Sequence, residues 1–310
     1  MTALICGSLA YDTIMVFPDQ FDKHILKDKL SSLNVAFLAP EMRREFGGCA
    51  GNIAYNLKML GENPLIMATV GMDFSPYSTR MRDLGYDQEH IKVIDNQYTA
   101  QAFITTDAAE NQITTFHPGA MNFSHNNHIE GAQNFSLGIV APDGRQGMIQ
   151  HAREFYENGI PYIFDPGQGL PMFSGIEIMD FFATAKYVAA NDYEAKMLSE
   201  KTGKSMEEIA SLVEALIVTN GEYGSAIYTG GECIEIPPVK VNEPIDPTGC
   251  GDAYRAGLIF GIINNLEWQK IGKLSSLLGA IKIESQGPQN HIFNLDKIQE
   301  SYMDAFNEEF

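Results

Sequence analysis

The chemistry of this chain concentrates in Asp246-Pro247-Thr248-Gly249-Cys250-Gly251-Asp252-Ala253-Tyr254-Arg255-Ala256-Gly257, a glycine-punctuated turn that runs into an apolar helix. Gly249 and Gly251 let a ligand approach the backbone closely. The first N–H groups of the helix lack intrahelical acceptors and point at whatever anion sits there. Asp252 stands at the mouth of that helix, placed to take a proton from a hydroxyl. Phosphoryl transfer to an alcohol needs mainly positioning and charge neutralisation, which a cradle of amides with one carboxylate supplies. The same residues also suit an ordinary loop-to-helix turn in which Asp252 only complements the helix dipole.

Phe46-Gly47-Gly48-Cys49-Ala50-Gly51-Asn52-Ile53-Ala54-Tyr55-Asn56-Leu57 is a second small-residue turn entering a helix. Gly48 would let a sugar ring lie against the backbone, and Asn52 offers a donor and an acceptor to hydroxyls; close helix–sheet packing is the alternative. Asp12 follows the first apolar run and can accept from two adjacent hydroxyls, or serve as a turn residue. Asn191 and Glu194 are spaced to share one side of a helix. They could hold Mg²⁺ through water or touch nucleotide phosphates, although Asn with Glu three residues on is also a common helix cap. Thr219, Gly221 and Gly224 end another apolar run, where a turn can cradle phosphate or ribose and where a plain β-turn fits as well.

Three other patterns fail on context. Thr202-Gly203-Lys204-Ser205 has the tail of a P-loop, but Leu198 stands where the upstream glycine is required. Gly249 and Gly251 begin a dinucleotide-like spacing without the strand and acid that should accompany it. His125 and His128 have no further ligand nearby for zinc.

The elements that must position these residues are legible as alternation. Ala3 to Leu9, Leu65 to Val70, Leu137 to Ala141, Tyr162 to Phe164, Tyr187 to Ala190 and Ala215 to Thr219 have the composition of buried strands. Asn52 to Leu60, Ser78 to Leu84, Gly144 to Glu157 and Tyr193 to Glu200 have helical spacing, and Gly61, Gly85 and Gly159 stand at helix ends. This predicts an α/β fold with a mainly parallel central sheet flanked by helices, which collects ligands at the carboxyl ends of its strands. Two segments, residues 13–46 and 99–118, break the rhythm. The second reads as a hairpin, Thr99 to Asp107 with Asn111 to Phe116, and together they suit a small β lid that excludes water, or ordinary surface hairpins. No linker divides the 310 residues, so a single domain is expected.

The 21 Lys and Arg against 40 Asp and Glu give a net charge of −19, which argues against nucleic-acid and anionic-membrane partners. Any phosphate must then be held locally, by backbone amides and Mg²⁺. Cys6, Cys49, Cys233 and Cys250 lack paired spacing, and the start Met1-Thr2-Ala3-Leu4-Ile5 lacks the basic flank of a signal peptide. A cytoplasmic protein is expected. The oligomeric state, monomer or homodimer, has no signal in the sequence.

Taken together and in order, the motifs resemble the ribokinase-like PfkB family of carbohydrate and nucleoside kinases, over nearly the whole chain. The family's carboxyl-terminal signature matches Asp246 to Asp252 and its amino-terminal one matches Gly47 to Asn52. The resemblance implies that Asp252 is the catalytic base and that the amides of Gly249, Cys250 and Gly251 form the anion hole. It implies sugar binding by Asp12, Gly48 and Asn52. It also implies Mg²⁺ and phosphate contacts by Asn191 and Glu194, and nucleotide binding by Thr219, Gly221 and Gly224. Asp246 and the carbonyl of Thr248 match one side of a monovalent cation site, K⁺ in many members. Cys250 departs from the usual alanine, and Arg255 from a usually apolar residue. Gly7-Ser8-Leu9-Ala10-Tyr11-Asp12 and Phe164-Asp165-Pro166-Gly167-Gln168-Gly169, with the two signatures, look most like the bacterial adenosine kinases of the family. That likeness implies transfer of phosphate from ATP to the 5′-hydroxyl of adenosine, giving AMP. Phe37, Phe46, Phe103 and Phe116 could stack on a purine or pack in the core. A sugar kinase acting on ribose, fructose or a related polyol, with Arg43 or Arg44 facing a phosphosugar, is the alternative enzyme. A nucleoside- or sugar-binding sensor is the non-catalytic one, and an intact Asp252 counts against it.

Overall fold

In the computed structural model, residues 2–25 and 34–310 are described. Part of the 13–46 segment therefore lies outside the described residues. The elements run β1 (Thr2–Cys6), β2 (Ala10–Val16), β3 (Glu41–Gly47), α1 (Cys49–Met59), β4 (Leu65–Val70), α2 (Ser75–Asp83), β5 (Ile91–Val93), β6 (Ala100–Thr106) and β7 (Gln112–His117). They continue with β8 (Phe135–Val140), α3 (Arg145–Glu157), β9 (Tyr162–Phe164), α4 (Gly175–Thr184), β10 (Tyr187–Asn191), α5 (Asp192–Thr202) and α6 (Met206–Ala210). The chain closes with β11 (Ala215–Thr219), β12 (Ser225–Thr229), β13 (Glu232–Ile236), α7 (Cys250–Ile263), α8 (Trp268–Ile283) and α9 (Leu295–Phe306).

Among the described residues the large sheet has the order β13-β12-β11-β10-β9-β8-β1-β4-β5, parallel from β11 to β5 with β12 and β13 antiparallel at one edge. Its strands are apolar on both sides because both faces are covered. Ala3 and Ile5 of β1 pack with α1, α7 and α8, while Leu4 and Cys6 pack with α3, α4 and α5, the period of two expected of a strand. Ile53 and Leu57 of α1 and Phe155 of α3 are buried with nearly no exposure, and burial on that scale contributes roughly 1.5–3 kcal/mol per large side chain.

The expected first strand, Ala3 to Leu9, ends early. At Gly7 the chain turns so close to Ala50 and Ala141 that a side chain would press on both, and Ser8 N–H donates to the Pro142 carbonyl. Beyond this turn the chain leaves the main sheet as β2. That strand pairs antiparallel with β3 and parallel with β6, and β6 pairs antiparallel with β7, giving a second sheet ordered β3-β2-β6-β7. The rejected P-loop pattern is a helix end: Gly203 caps α5 at φ 70°, and Ser205 caps α6. No helix among the described residues is long and apolar enough to cross a membrane.

Candidate active site

The turn Asp246–Gly249 delivers the chain into α7 with Gly249 at φ 84°, a left-handed conformation that favours glycine. A side chain at Gly251 would meet open space, so the mouth of the helix is accessible. The Cys250 amide, expected in the anion cradle, donates instead to the Pro247 carbonyl at 3.1 Å. Among the described residues the amides of Gly249, Gly251 and Asp252 have no protein acceptor. The amides left free to meet an anion at this helix mouth are therefore those flanking Cys250 rather than that of Cys250 itself.

Asp252 lies in the first turn of α7, half-buried. Burial pushes its carboxyl up to about 7, helped by the charge of Asp165 and opposed by the Asn52 hydrogen bond, Arg255 and Cys49. A carboxylate with that affinity for a proton is matched to a base working near neutral pH.

Asn52 reaches Asp252 directly: its Nδ2 donates to Asp252 Oδ2 at 2.8 Å. Asn52 Oδ1 accepts from Gln289 Nε2 at 3.0 Å, the same nitrogen donates to Tyr77 Oη at 2.7 Å, and Tyr77 donates to the Gly47 carbonyl at 2.9 Å. A carbonyl can only accept, so the Tyr77 hydroxyl accepts from Gln289, whose amide nitrogen donates to both Tyr77 and Asn52 Oδ1, and this fixes which end of the Asn52 amide faces the carboxylate. Asn52 is thus already bonded within the protein at one N–H and at its oxygen, leaving its second N–H for a ligand. Gly51 has no room for a side chain because Tyr77 Oη and Gln289 fill that space. No local pattern in the sequence marks Gln289 or Tyr77, since they meet Asn52 only through the fold.

Asp12 is on β2, with Glu45 opposite it on β3 and Ala102 opposite it on β6. Burial pushes its carboxyl up to about 6, with the charges of Asp246 and Glu45 adding; Glu45, opposite it, lies against Gly287, whose N–H donates to Asp246, so this side of the second sheet faces the α7 turn. A side chain at Gly47 would run into Asp12 Oδ2 at 2.7 Å. Gly48, at φ 87°, is demanded by the backbone of Ser8 to Ala10 against it, so close packing accounts for this glycine without a sugar.

Residues directly opposite one another share a face of a sheet. Phe116 therefore lies on the face of Asp12, by way of Ala102, whereas Phe103 lies on the reverse face with Thr13. Phe46 packs with Tyr11 and Tyr77, and Phe37 packs with Phe17 and Phe21, which places both in aromatic clusters rather than against a ligand. Arg44 lies 3.5 Å over the Tyr11 ring and beside Asp73, away from Asp12. Arg43 shares the face of Asp12, and Glu45 sits 3.5 Å from its Nε.

The parallel register sets Asn191, at the end of β10, beside Thr219, at the end of β11. Asn191 Oδ1 accepts from Glu194 N–H at 2.7 Å and Glu194 Oε2 accepts from Asn191 N–H at 2.9 Å, so the capping arrangement foreseen as the alternative is present. Burial raises the Glu194 carboxyl, with Asp165 adding and the Asn191 amide and Arg255 opposing. Asp165 follows β9, and its Oδ1 accepts from Arg255 Nη2 at 3.0 Å, both side chains about 5–6% exposed. Arg255 thus stands between the surroundings of Asp252 and of Glu194, and its Nε and Nη1 have no partner among the described residues. Gly221, at φ 53°, faces open space; Gly224, at φ 93°, is packed on the Ile236 carbonyl, so its need for glycine is structural.

No group of three or more metal-ligating side chains occurs among the described residues. Mg²⁺ commonly keeps several waters and is held by one or two carboxylates with substrate phosphates, which the single half-buried carboxylate of Glu194 fits. The monovalent-cation residues are arranged differently. Both carboxylate oxygens of Asp246 accept backbone amides, from Thr248 at 2.9 Å and Gly287 at 2.8 Å, and its carbonyl accepts from Lys282 Nζ at 2.7 Å.

Comparison with known proteins identifies the family. A nucleoside kinase of Methanocaldococcus jannaschii is 32% identical over 277 residues, 88% of this chain and 90% of that one. The solved structure of a Burkholderia thailandensis nucleoside kinase in complex with inosine is 50% identical, with a TM-score of 0.91 and 99% of each chain covered. The same kinase has been solved in complex with ADP-inosine, at a TM-score of 0.88. The pfkB family carbohydrate kinase profile matches residues 9–294, and this chain belongs to that family of phosphotransferases.

Proposed function

We propose that the protein transfers the γ-phosphoryl group of ATP to the 5′-hydroxyl of a purine nucleoside, with adenosine and inosine as acceptors. The observation that carries this reading is Asp252, held by Asn52 and with a carboxyl pushed up to about 7, at the open mouth of α7. A relative half identical over 99% of the chain binds inosine, which favours a nucleoside over a free sugar. Arg44, lying over Tyr11, and Arg43, beside Glu45, leave little cationic character for a phosphosugar.

In this mechanism Asp12 accepts from the ribose hydroxyls, and the second N–H of Asn52 donates to the sugar. Phe116 offers its ring to the base from the face of Asp12. The O5′–H bond breaks with the proton passing to Asp252, the new O5′–P bond forms, and the bond from phosphorus to the ADP oxygen breaks. The amides of Gly249, Gly251 and Asp252 receive the charge on the transferred group, in the manner of an anion hole. Mg²⁺, when bound, spreads the phosphate charge, and Glu194 is positioned to hold it through water. Asn191, Thr219 and Gly221 line the nucleotide side. The second sheet, which takes in parts of segments 13–46 and 99–118, acts as the lid that excludes water.

Turnover with ATP, Mg²⁺ and a panel of adenosine, inosine, other nucleosides, ribose and fructose tests the reading. ADP and nucleoside 5′-monophosphate should appear in equal amounts. Phosphorylation of free sugars alone would establish the sugar-kinase alternative instead.

A further inference from the structure

Lys282, in the last turn of α8, is fully buried. A buried ammonium loses its hydration and needs partners. Here the partners are carbonyl oxygens: Nζ donates to Asp246 O at 2.7 Å and to Ser285 O at 3.0 Å. Burial lowers its affinity for the proton and the Asp246 carboxylate opposes this; Cys250 is a neighbouring thiol whose own proton affinity is raised, and His291 is the neighbouring titratable group on the carboxyl-terminal segment. The carboxyl end of α8 adds the negative end of its dipole. An ammonium and a K⁺ ion carry the same charge, and carbonyl oxygens suit both.

The turn so held is the one through which the family resemblance implies a monovalent cation, at Asp246 and Thr248. In this chain the carbonyl of Asp246 is bonded to Lys282 and both its carboxylate oxygens are bonded to amides. A second monovalent cation would have to approach an ammonium of like charge, so the residues present do not fit one.

We propose that Lys282 is a built-in monovalent cation: its ammonium takes the place of K⁺ beneath the Asp246–Gly249 turn, fixes the backbone from which the α7 amides project, and makes the protein independent of K⁺. The activity arm of the test rests on the kinase reading above; a second arm does not.

Initial rates are measured in tetramethylammonium chloride, KCl, NH₄Cl and LiCl at equal ionic strength. Wild-type rates should agree within about twofold across these salts, the change being far below the 10²-fold scale of a misplaced site. Lys282→Met should be slower by about 10- to 10²-fold in tetramethylammonium chloride, and K⁺ or NH₄⁺, but not Li⁺, should restore its rate. In thermal-shift measurements without substrate, K⁺ should raise the melting temperature of Lys282→Met relative to tetramethylammonium and leave that of the wild type unchanged. Several-fold activation of the wild type by K⁺ would overturn the proposal. So would a folded Lys282→Met with the wild-type rate and no response to K⁺. If that variant does not fold, the wild-type salt series decides. If the wild type phosphorylates no nucleoside, the kinase reading fails, and the thermal-shift arm still decides the role of Lys282.

Discussion

At the scale of single residues, Asp252 is both the proposed base and a cost to the fold. Its folded carboxyl titrates near 7 against an ordinary 3.8, so the native state binds more protons than the unfolded chain between those values. Stability from this group is present at low pH and is lost as pH rises through about 7. Asp252→Asn should therefore raise the melting temperature above pH 7 and much less near pH 4, while lowering the single-turnover rate by at least about 10²-fold. A near-normal rate in folded Asp252→Asn would remove it as the base. In the wild type the rate should rise with pH through about 7 and level off above. Gln289→Met frees the Asn52 amide to turn, so the acid limb should move to higher pH with little change in nucleotide KM; an unmoved limb would show that Gln289 only fills space. Asp12→Ala should cut kcat/KM severely with intact nucleoside. The penalty for removing a ribose hydroxyl should be larger in the wild type than in this variant, and equal penalties would mean that Asp12 does not read that hydroxyl.

At the scale of elements, α7 is tied to its neighbours on both flanks of Asp252. Asn52 joins it to α1, and the buried pair Asp165–Arg255 joins it to the end of β9. Removing one partner of such a pair strands the other charge. Arg255→Met should destabilise the protein by roughly 3–5 kcal/mol in urea titration, and adding Asp165→Asn should recover much of the loss. Equal destabilisation in the single and double variants would show that the two side chains act independently. The same pair explains why an arginine stands at a usually apolar place: a carboxylate from another loop meets it there. The second sheet is likewise an element-level outcome. Tight packing at Gly7 ends β1 and redirects the chain, and that turn puts Asp12 on a sheet facing α7 rather than at the end of the main one.

At the scale of the whole molecule, a net charge of −19 surrounds a site proposed to take a polyanion. Long-range repulsion should slow the approach of the nucleotide, and salt should relieve it. Raising ionic strength from about 20 to about 200 mM should increase kcat/KM for ATP; a steep fall would indicate a basic entrance instead. The alternation of apolar runs and helical spacing made the fold class legible, because strands covered on both faces need continuous apolar sequence. The glycine turn ahead of Asp252 was legible too, since its chemistry lies within a few consecutive residues. The surroundings of that turn were not: Gln289 reaches Asn52 across 237 positions, Arg255 reaches Asp165 across 90, and Lys282 reaches Asp246 across 36. Nor could spacing reveal that Cys250 gives its amide to Pro247, that Phe116 alone of four aromatics shares the face of Asp12, or that Gly48 is demanded by Ser8 to Ala10. Local propensity and periodicity act over one or two turns of chain and so determined the elements and the reactive turn. Partnerships, faces and proton affinities depend on what closes around a residue from distant sequence, and those the tertiary structure decided.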